Sequence, residues 1–261
     1  PRRRTGGPRM SVLAALLVAV GATDLLRSLG PHPAQPRETR GVPAAGLLLL
    51  ALVAAGAGLL ATWGGVALTA LAAVGLLAWT VTAERADAGH GHGLALTTFV
   101  VAVAVQLAAS GWAPPVGGWL ADWLTWSALP WQPSPDRALL LAGLVLVQLA
   151  TGNRLVRLVL VTTGALPPVP VAGAVEGQLR GGRLLGPLER LFILGLGLAG
   201  ELTAAGLVIA AKGLIRWPEL RSHASSDDSR RPSDIDKVTE YFLVGSFVSW
   251  LVALGALVLA G

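Results

Sequence analysis

Cysteine is absent from the chain. That excludes disulfides, thiolate nucleophiles and thiolate metal centres. Charge is scarce: Asp, Glu, Lys and Arg make up 13% of the 261 residues, about half the share of an average soluble domain. The alternating apolar–polar segments of an outer-membrane barrel are missing. So are a Ser/His/Asp set, a phosphate loop, a dinucleotide fingerprint and a zinc-protease helix. Enzyme chemistry therefore has no support in the sequence, and no cofactor is expected.

What remains is apolar. Hydrophobic residues make up 53% of the chain, with charge-free runs of about 20 residues, long enough to cross the roughly 30 Å of hydrocarbon in a bilayer. The pattern predicts an all-α, polytopic transmembrane bundle with about seven spans: Met10 to Ser28, Ala44 to Thr62, Val66 to Ala83, Leu94 to Trp112, Ala138 to Thr151, Gly186 to Ile215 and Asp236 to Leu259. Residues 1–163 form an N-terminal region with five spans. Residues 164–185 are a Pro/Gly-rich loop, and 186–261 form a C-terminal transmembrane hairpin. Trp119, Trp123 and Trp126 fall on one face of a short helix by their i, i+4, i+7 spacing. Indoles favour the headgroup level, so this helix is expected to lie in the membrane interface.

The net charge of +5 comes from scattered Arg and Lys. This is the pattern of basic loops beside anionic headgroups. A basic patch with interleaved aromatics is missing, so nucleic acid is not an expected partner. The Ala-, Leu-, Gly- and Arg-rich composition points to a bacterium, hence to its inner (cytoplasmic) membrane. Arg2, Arg3, Arg4 and Arg9 precede the first apolar run. That start resembles a signal peptide, but no cleavage site followed by a soluble domain appears. It reads as an uncleaved first span with a cytoplasmic N-terminus, although the basic bias between the two sides is slight.

The polar residues that interrupt apolar runs are the candidate functional groups. Glu201 lies mid-run between Leu184 and Ile215, where a carboxylate costs roughly 2.5 kcal/mol or more. Gly197, Ala204, Ala205 and Val208 share its side on a 3.6-residue repeat, which brings a neighbouring helix close. If the last two spans are antiparallel, Lys212 meets Glu240, and Ser249 and Trp250 reach the depth of Glu201 as hydrogen-bond donors. Glu189 and Arg190 read as a first-turn charge pair after Pro187. Asp24 with Arg27 reads as an interfacial pair, and Gln106 and Gln148 as polar contacts between helices. His90 and His92 are a weak metal candidate on a flexible loop, because a real site wants three or four ordered ligands. No metal site is assigned.

Residues 182–253 carry a recognisable pattern: Gly182-Arg-Leu-Leu-Gly-Pro-Leu-Glu-Arg-Leu, then Gly200-Glu-Leu-Thr-Ala-Ala-Gly-Leu-Val-Ile-Ala-Ala-Lys-Gly-Leu-Ile-Arg-Trp-Pro-Glu-Leu, then Glu240-Tyr-Phe-Leu-Val-Gly-Ser-Phe. It resembles a C-terminal module of uncharacterised bacterial multi-pass membrane proteins. Gly213 stands where that module has serine, and Ser246 where it has threonine. The resemblance implies that Glu189, Arg190, Glu201, Lys212, Glu219, Glu240 and Tyr241 belong to one recurring unit. It implies no activity.

Three functions are open at this point. The first is a non-enzymatic accessory or scaffold component of a membrane assembly, contacting lipids and other membrane subunits or a second copy of itself. The second is a small ion- or proton-coupled transporter or channel with Glu201 as the coupling group, although inverted repeats are not visible. The third is a lipid-modifying membrane enzyme.

Overall fold

The computed structural model describes residues 9–29, 41–127, 132–167, 182–225 and 232–261. Arg2 to Arg4, most of the 164–185 loop, and the side chains of Glu219 and Glu240 lie outside the described residues. The described chain is helical, with no strand among these residues: α1 (Ser11–Leu29), α2 (Gly41–Gly56), α3 (Trp63–Asp87), α4 (His92–Ala108), α5 (Gly118–Trp126), α6 (Pro135–Leu146), α7 (Gly152–Thr162), α8 (Gly182–Leu198), α9 (Leu202–Ser225) and α10 (Pro232–Ala260). A π turn, Val147–Thr151, continues α6 into α7.

Four helical stretches are long and apolar enough to cross a membrane: Ser11–Leu29, Trp63–Asp87, Pro135–Thr162 and Tyr241–Ala260. Gly41–Gly56, His92–Ala108 and Leu202–Leu214 are apolar but shorter. The expected fifth span is thus part of a longer element that absorbs its predicted amphipathic extension. The expected sixth span is not one helix.

The chain divides into two compact units. The first comprises residues 1–85 and 94–151, the second 86–93 and 152–261. The division falls at Thr151 rather than in the Pro/Gly-rich segment, so α7 belongs with the C-terminal helices.

In the first unit α1 is the core. Its residues from Ser11 to Val20 are buried, because Ala, Val and Leu cover every side of it and leave no polar stripe. It packs in parallel with α6. A Cβ on Gly143 would lie 2.9 Å from the Ala14 carbonyl oxygen, and a Cβ on Gly21 would lie 2.7 Å from the backbone of Leu146. These two glycines let the backbones approach closely, as small residues do between membrane helices. α3 runs beside α1 in the same direction, and α4 returns antiparallel to α3. The α3–α4 register is set by Gln106 Nε2, which donates to the Leu68 carbonyl at 3.0 Å, and by the Trp79 and Phe99 rings, 5.2 Å apart and tilted.

One end of this unit is lined with tryptophan. Ser11 Oγ donates to the Pro114 carbonyl at 2.6 Å, the Gly117 amide donates to Ala57 at 2.8 Å, and Gly64 approaches the Trp112 carbonyl. These contacts bring the start of α1, the end of α2, the start of α3 and the end of α4 to the level of α5. Trp63, Trp112, Trp119, Trp123 and Trp126 are all exposed there. The expected helix under Trp119, Trp123 and Trp126 is present as α5, and the Trp119 indole also covers Gly56.

In the second unit, α8 and α9 form a tight hairpin. The sequence predicts a continuous helix through Glu201, but the chain reverses at Gly200, which has φ 83°. The Glu201 amide donates to the Leu196 carbonyl at 2.8 Å and the Gly200 amide to Gly197 at 3.1 Å. This is the glycine C′ stop, with a six-to-one bond, that commonly ends a helix. α8 starts at Gly182, so Pro187 sits inside it rather than at its first position. Ile193, Ala205 and Ala253 pack together at the centre, with Leu196, Ile209 and Trp250 around them. The expected small-residue face of α10 is used: Gly245 meets Leu160 and Val156 of α7, and Ser249 and Ala253 are buried.

Candidate functional site

Two polar centres are built into this apolar frame, one in each unit. In the second unit, α8 presents Glu189 and Arg190 from adjacent positions. Arg190 is only 1% exposed. Its Nη1 donates to Ser249 Oγ at 3.2 Å and its Nη2 to Asn153 Oδ1 at 2.8 Å. The guanidinium lies flat on Gly152, where a Cβ would come within 2.7 Å of Nε. Glycine at the start of α7 therefore makes the slot, and Asn153 and Ser249 close its sides. Glu189 accepts from Trp250 Nε1 at 2.8 Å and pairs with Lys212 of α9.

The depth of this cluster matters. Ser249 and Trp250 lie midway along the candidate span Tyr241–Ala260. Glu189, Arg190 and Lys212 therefore stand near the middle of a membrane-length helix, where ionisable residues are costly and usually have partners. Here each has one. The geometry gives a saturated charge cluster that joins α7, α8, α9 and α10.

The sequence named Glu189, Arg190, Lys212, Ser249 and Trp250 as candidates, and the structure brings these five together, but in different pairs. Lys212 pairs with Glu189 of α8, whereas Glu240, its expected partner, has a side chain outside the described residues. Ser249 and Trp250 serve Arg190 and Glu189 rather than Glu201. Glu201 sits at the hairpin tip and is exposed, and its carboxylate has no polar partner among the described residues. The expected inward-facing Glu201 is thus overturned by the Gly200 reversal. Nor are Glu189 and Arg190 a first-turn surface pair, because α8 begins earlier and carries both into the packed interior. Asn153 was missed. It sat in a stretch read as an amphipathic surface extension.

In the first unit the buried group is Asp24, only 5% exposed. Its Oδ2 accepts from Thr151 Oγ1 at 2.8 Å and from Trp79 Nε1 at 3.2 Å. The expected Asp24–Arg27 pair is replaced. Arg27 instead reaches across to Glu84 of α3 at 2.5 Å. Gln148, in the π turn, is completely buried. Sequence reading gave Gln148 a contact role but offered no signal that Trp79 and Thr151 share one carboxylate.

The remaining candidates are peripheral. His90 is exposed and His92 half-buried, and Asp87 beside them pairs with Arg154. Among the described residues no group of three or more His, Cys, Asp or Glu could hold a metal ion. Comparison with protein-family models, curated proteins and solved structures returns no match.

Proposed function

We propose that this is a multi-pass protein of a bacterial cytoplasmic membrane, with its N-terminus in the cytoplasm, that acts as a non-enzymatic accessory or scaffold component of a membrane assembly. The observation that carries the reading is the state of the charges in the second unit. Glu189, Arg190 and Lys212 are occupied by internal partners, so these three hold helices together. Around them the surface is apolar. α10 buries only 22% of its most apolar window and exposes Leu243, Phe247, Leu251, Leu254 and Val258. Such a face suits lipid, another subunit or a second copy. Trp63, Trp112, Trp119, Trp123 and Trp126 would then lie at one headgroup layer.

Absence of cysteine makes the test clean, because single cysteines can be introduced without background. Cysteines at Leu243, Phe247, Leu251 and Leu254 are cross-linked in native membranes. A scaffold gives a protein–protein adduct at positions that repeat with helical period. A folded chain that yields no adduct at any of the four contradicts the reading.

The transporter reading loses Glu201 as its coupling group. A specific observation keeps it in view as a second reading: the buried carboxylate of Asp24 beside a π turn.

A further inference from the structure

We infer that Arg157, on the outward side of α7, holds the phosphate of an anionic phospholipid at one membrane surface. The inference rests on the reading that the chain crosses a bilayer and is independent of the scaffold role.

Pairing singles this arginine out. Among the basic residues of the candidate spans, Arg27 pairs with Glu84 and Arg154 with Asp87. Arg85 and Arg137 are exposed in the outermost turns of their spans. Arg157 stands five residues inside the end of Pro135–Thr162 and is half-buried. It has no ion-pair or hydrogen-bond partner among the described residues. The acids of the second unit whose side chains are described are Asp87, Glu189 and Glu201. The first two are taken by Arg154 and Lys212, and Glu201 lies at the hairpin tip. An arginine inside a span is costly and pairs with an acid, with backbone carbonyls or, by snorkelling, with the interface. Here the interface is left.

Geometry places Arg157 within reach of that level. α7 is amphipathic: Leu155 and Leu158 are buried on one side, and Asn153, Arg154, Arg157 and Val161 fall on the other by helical spacing. α7 packs on the start of α10, where a Cβ on Gly245 would lie 3.5 Å from the Leu160 side chain and 3.9 Å from that of Val156. Gly245 is four residues inside the candidate span Tyr241–Ala260, about 6 Å at the roughly 1.5 Å rise per residue. Counted along either helix, Arg157 is thus little more than one turn below the surface, a distance its long stem can span. Tyr241, which opens the α10 span, is 39% exposed, and a tyrosine there suits the headgroup level.

Charge and shape fix the ligand class. A planar guanidinium matches a phosphate with two parallel hydrogen bonds. Asp87 offsets the charge of Arg154, so the outward side of α7 carries one net positive charge. A lipid with one net negative charge balances it, and a zwitterionic lipid does not.

The experiment uses the full chain in detergent micelles, with added dioleoylphosphatidylglycerol or dioleoylphosphatidylcholine. Native mass spectrometry counts the retained lipid, and thermal unfolding gives its apparent affinity. A ligand that binds only the folded state raises the melting midpoint, so phosphatidylglycerol should be retained and should raise it more than phosphatidylcholine. Arg157→Gln should weaken the apparent affinity for phosphatidylglycerol about fivefold, the worth of one arginine at an anionic surface. The same variant should melt like the wild type in phosphatidylcholine, because its guanidinium has no protein partner to lose. Arg137→Gln, an exposed arginine of the first unit, should leave the lipid response unchanged, which separates a site from the general attraction of a basic chain. Equal responses to the two lipids, an Arg157→Gln chain that keeps the wild-type response or melts lower in phosphatidylcholine, or an Arg137→Gln chain that loses as much would each overturn the inference. Flotation with liposomes is scored separately. A chain that does not float overturns the membrane reading and the inference with it, whereas a chain that floats but gives any of these results overturns the inference alone.

Discussion

Lys212 of α9 closes onto Glu189 of α8, twenty-three residues earlier in the chain. That contact needs the two helices to be antiparallel, and it ties the arms of the hairpin together about midway along α8. Glu189 is the hub, since its other oxygen accepts from Trp250. Glu189→Ala should therefore destabilise the second unit by about 2 kcal/mol, at or below the low end of the range for a broken buried pair because Lys212 is one-third exposed. Lys212→Met should cost less, because it leaves Trp250 in place as a donor. A double-mutant cycle by thermal unfolding measures the coupling, and a coupling near zero contradicts the pairing.

Gly200 gives a prediction of definite sign. In a continuous helix Gly→Ala stabilises by up to about 1 kcal/mol. At φ 83° the same change is strained, by about 1–2 kcal/mol for a residue with a Cβ. Gly200→Ala should lower the melting midpoint, and a rise would restore the uninterrupted sixth span.

Gly21→Ala should be worse than an average surface change. The added methyl meets backbone at 2.7 Å, which cannot rotate away. Overpacking of this kind costs about 1–3 kcal/mol. The loss should show as a lower melting midpoint and faster proteolysis in α6, and an unchanged midpoint would mean that α1 and α6 do not touch there.

Arg190→Lys should not behave as a conservative change in a thermal melt. Lysine lacks the planar fork that spans Asn153 and Ser249. The expected loss is about 1–3 kcal/mol from the buried acceptors left behind. Gly152→Ala, which intrudes on the same guanidinium, should resemble it in a thermal melt. If both variants melt like the wild type, the slot is not formed.

Cysteines replacing Trp126 and Arg85, two exposed positions at opposite ends of the first unit, should react with a membrane-impermeant maleimide from opposite sides of sealed vesicles. Labelling of both from one side would show that the unit does not cross.

Much of this was legible in the sequence. Apolar runs located the helices, since a stretch such as Ser11–Leu29 has no other stable use for its surface. Indole spacing located α5. Five of the charged or polar residues that form the second-unit centre could be named from their cost in an apolar run. Their pairing could not, because it turned on Gly200. A glycine inside an apolar run reads equally as a packing face or a stop. The stop at Gly200 turns Glu201 out to the hairpin tip, away from the depth of Ser249 and Trp250. Asp24 was hidden for another reason. A carboxylate three residues from an arginine looks self-sufficient, and its partners Trp79 and Thr151 are 55 and 127 residues away, where no local pattern can point.

That last separation bears on biogenesis. Helices joined by a short turn can pair as they leave the ribosome, but the parallel neighbours α1 and α6 cannot. α1 has to enter the lipid first and wait while more than a hundred further residues are made, with its Ala-rich flank facing acyl chains and Asp24 without the hydroxyl of Thr151. Contacts this remote in sequence form late and slowly. A nascent chain stalled before Pro135 should therefore be the species most readily extracted by a membrane quality-control protease, and the arrival of α6 should be the event that commits the chain to survive.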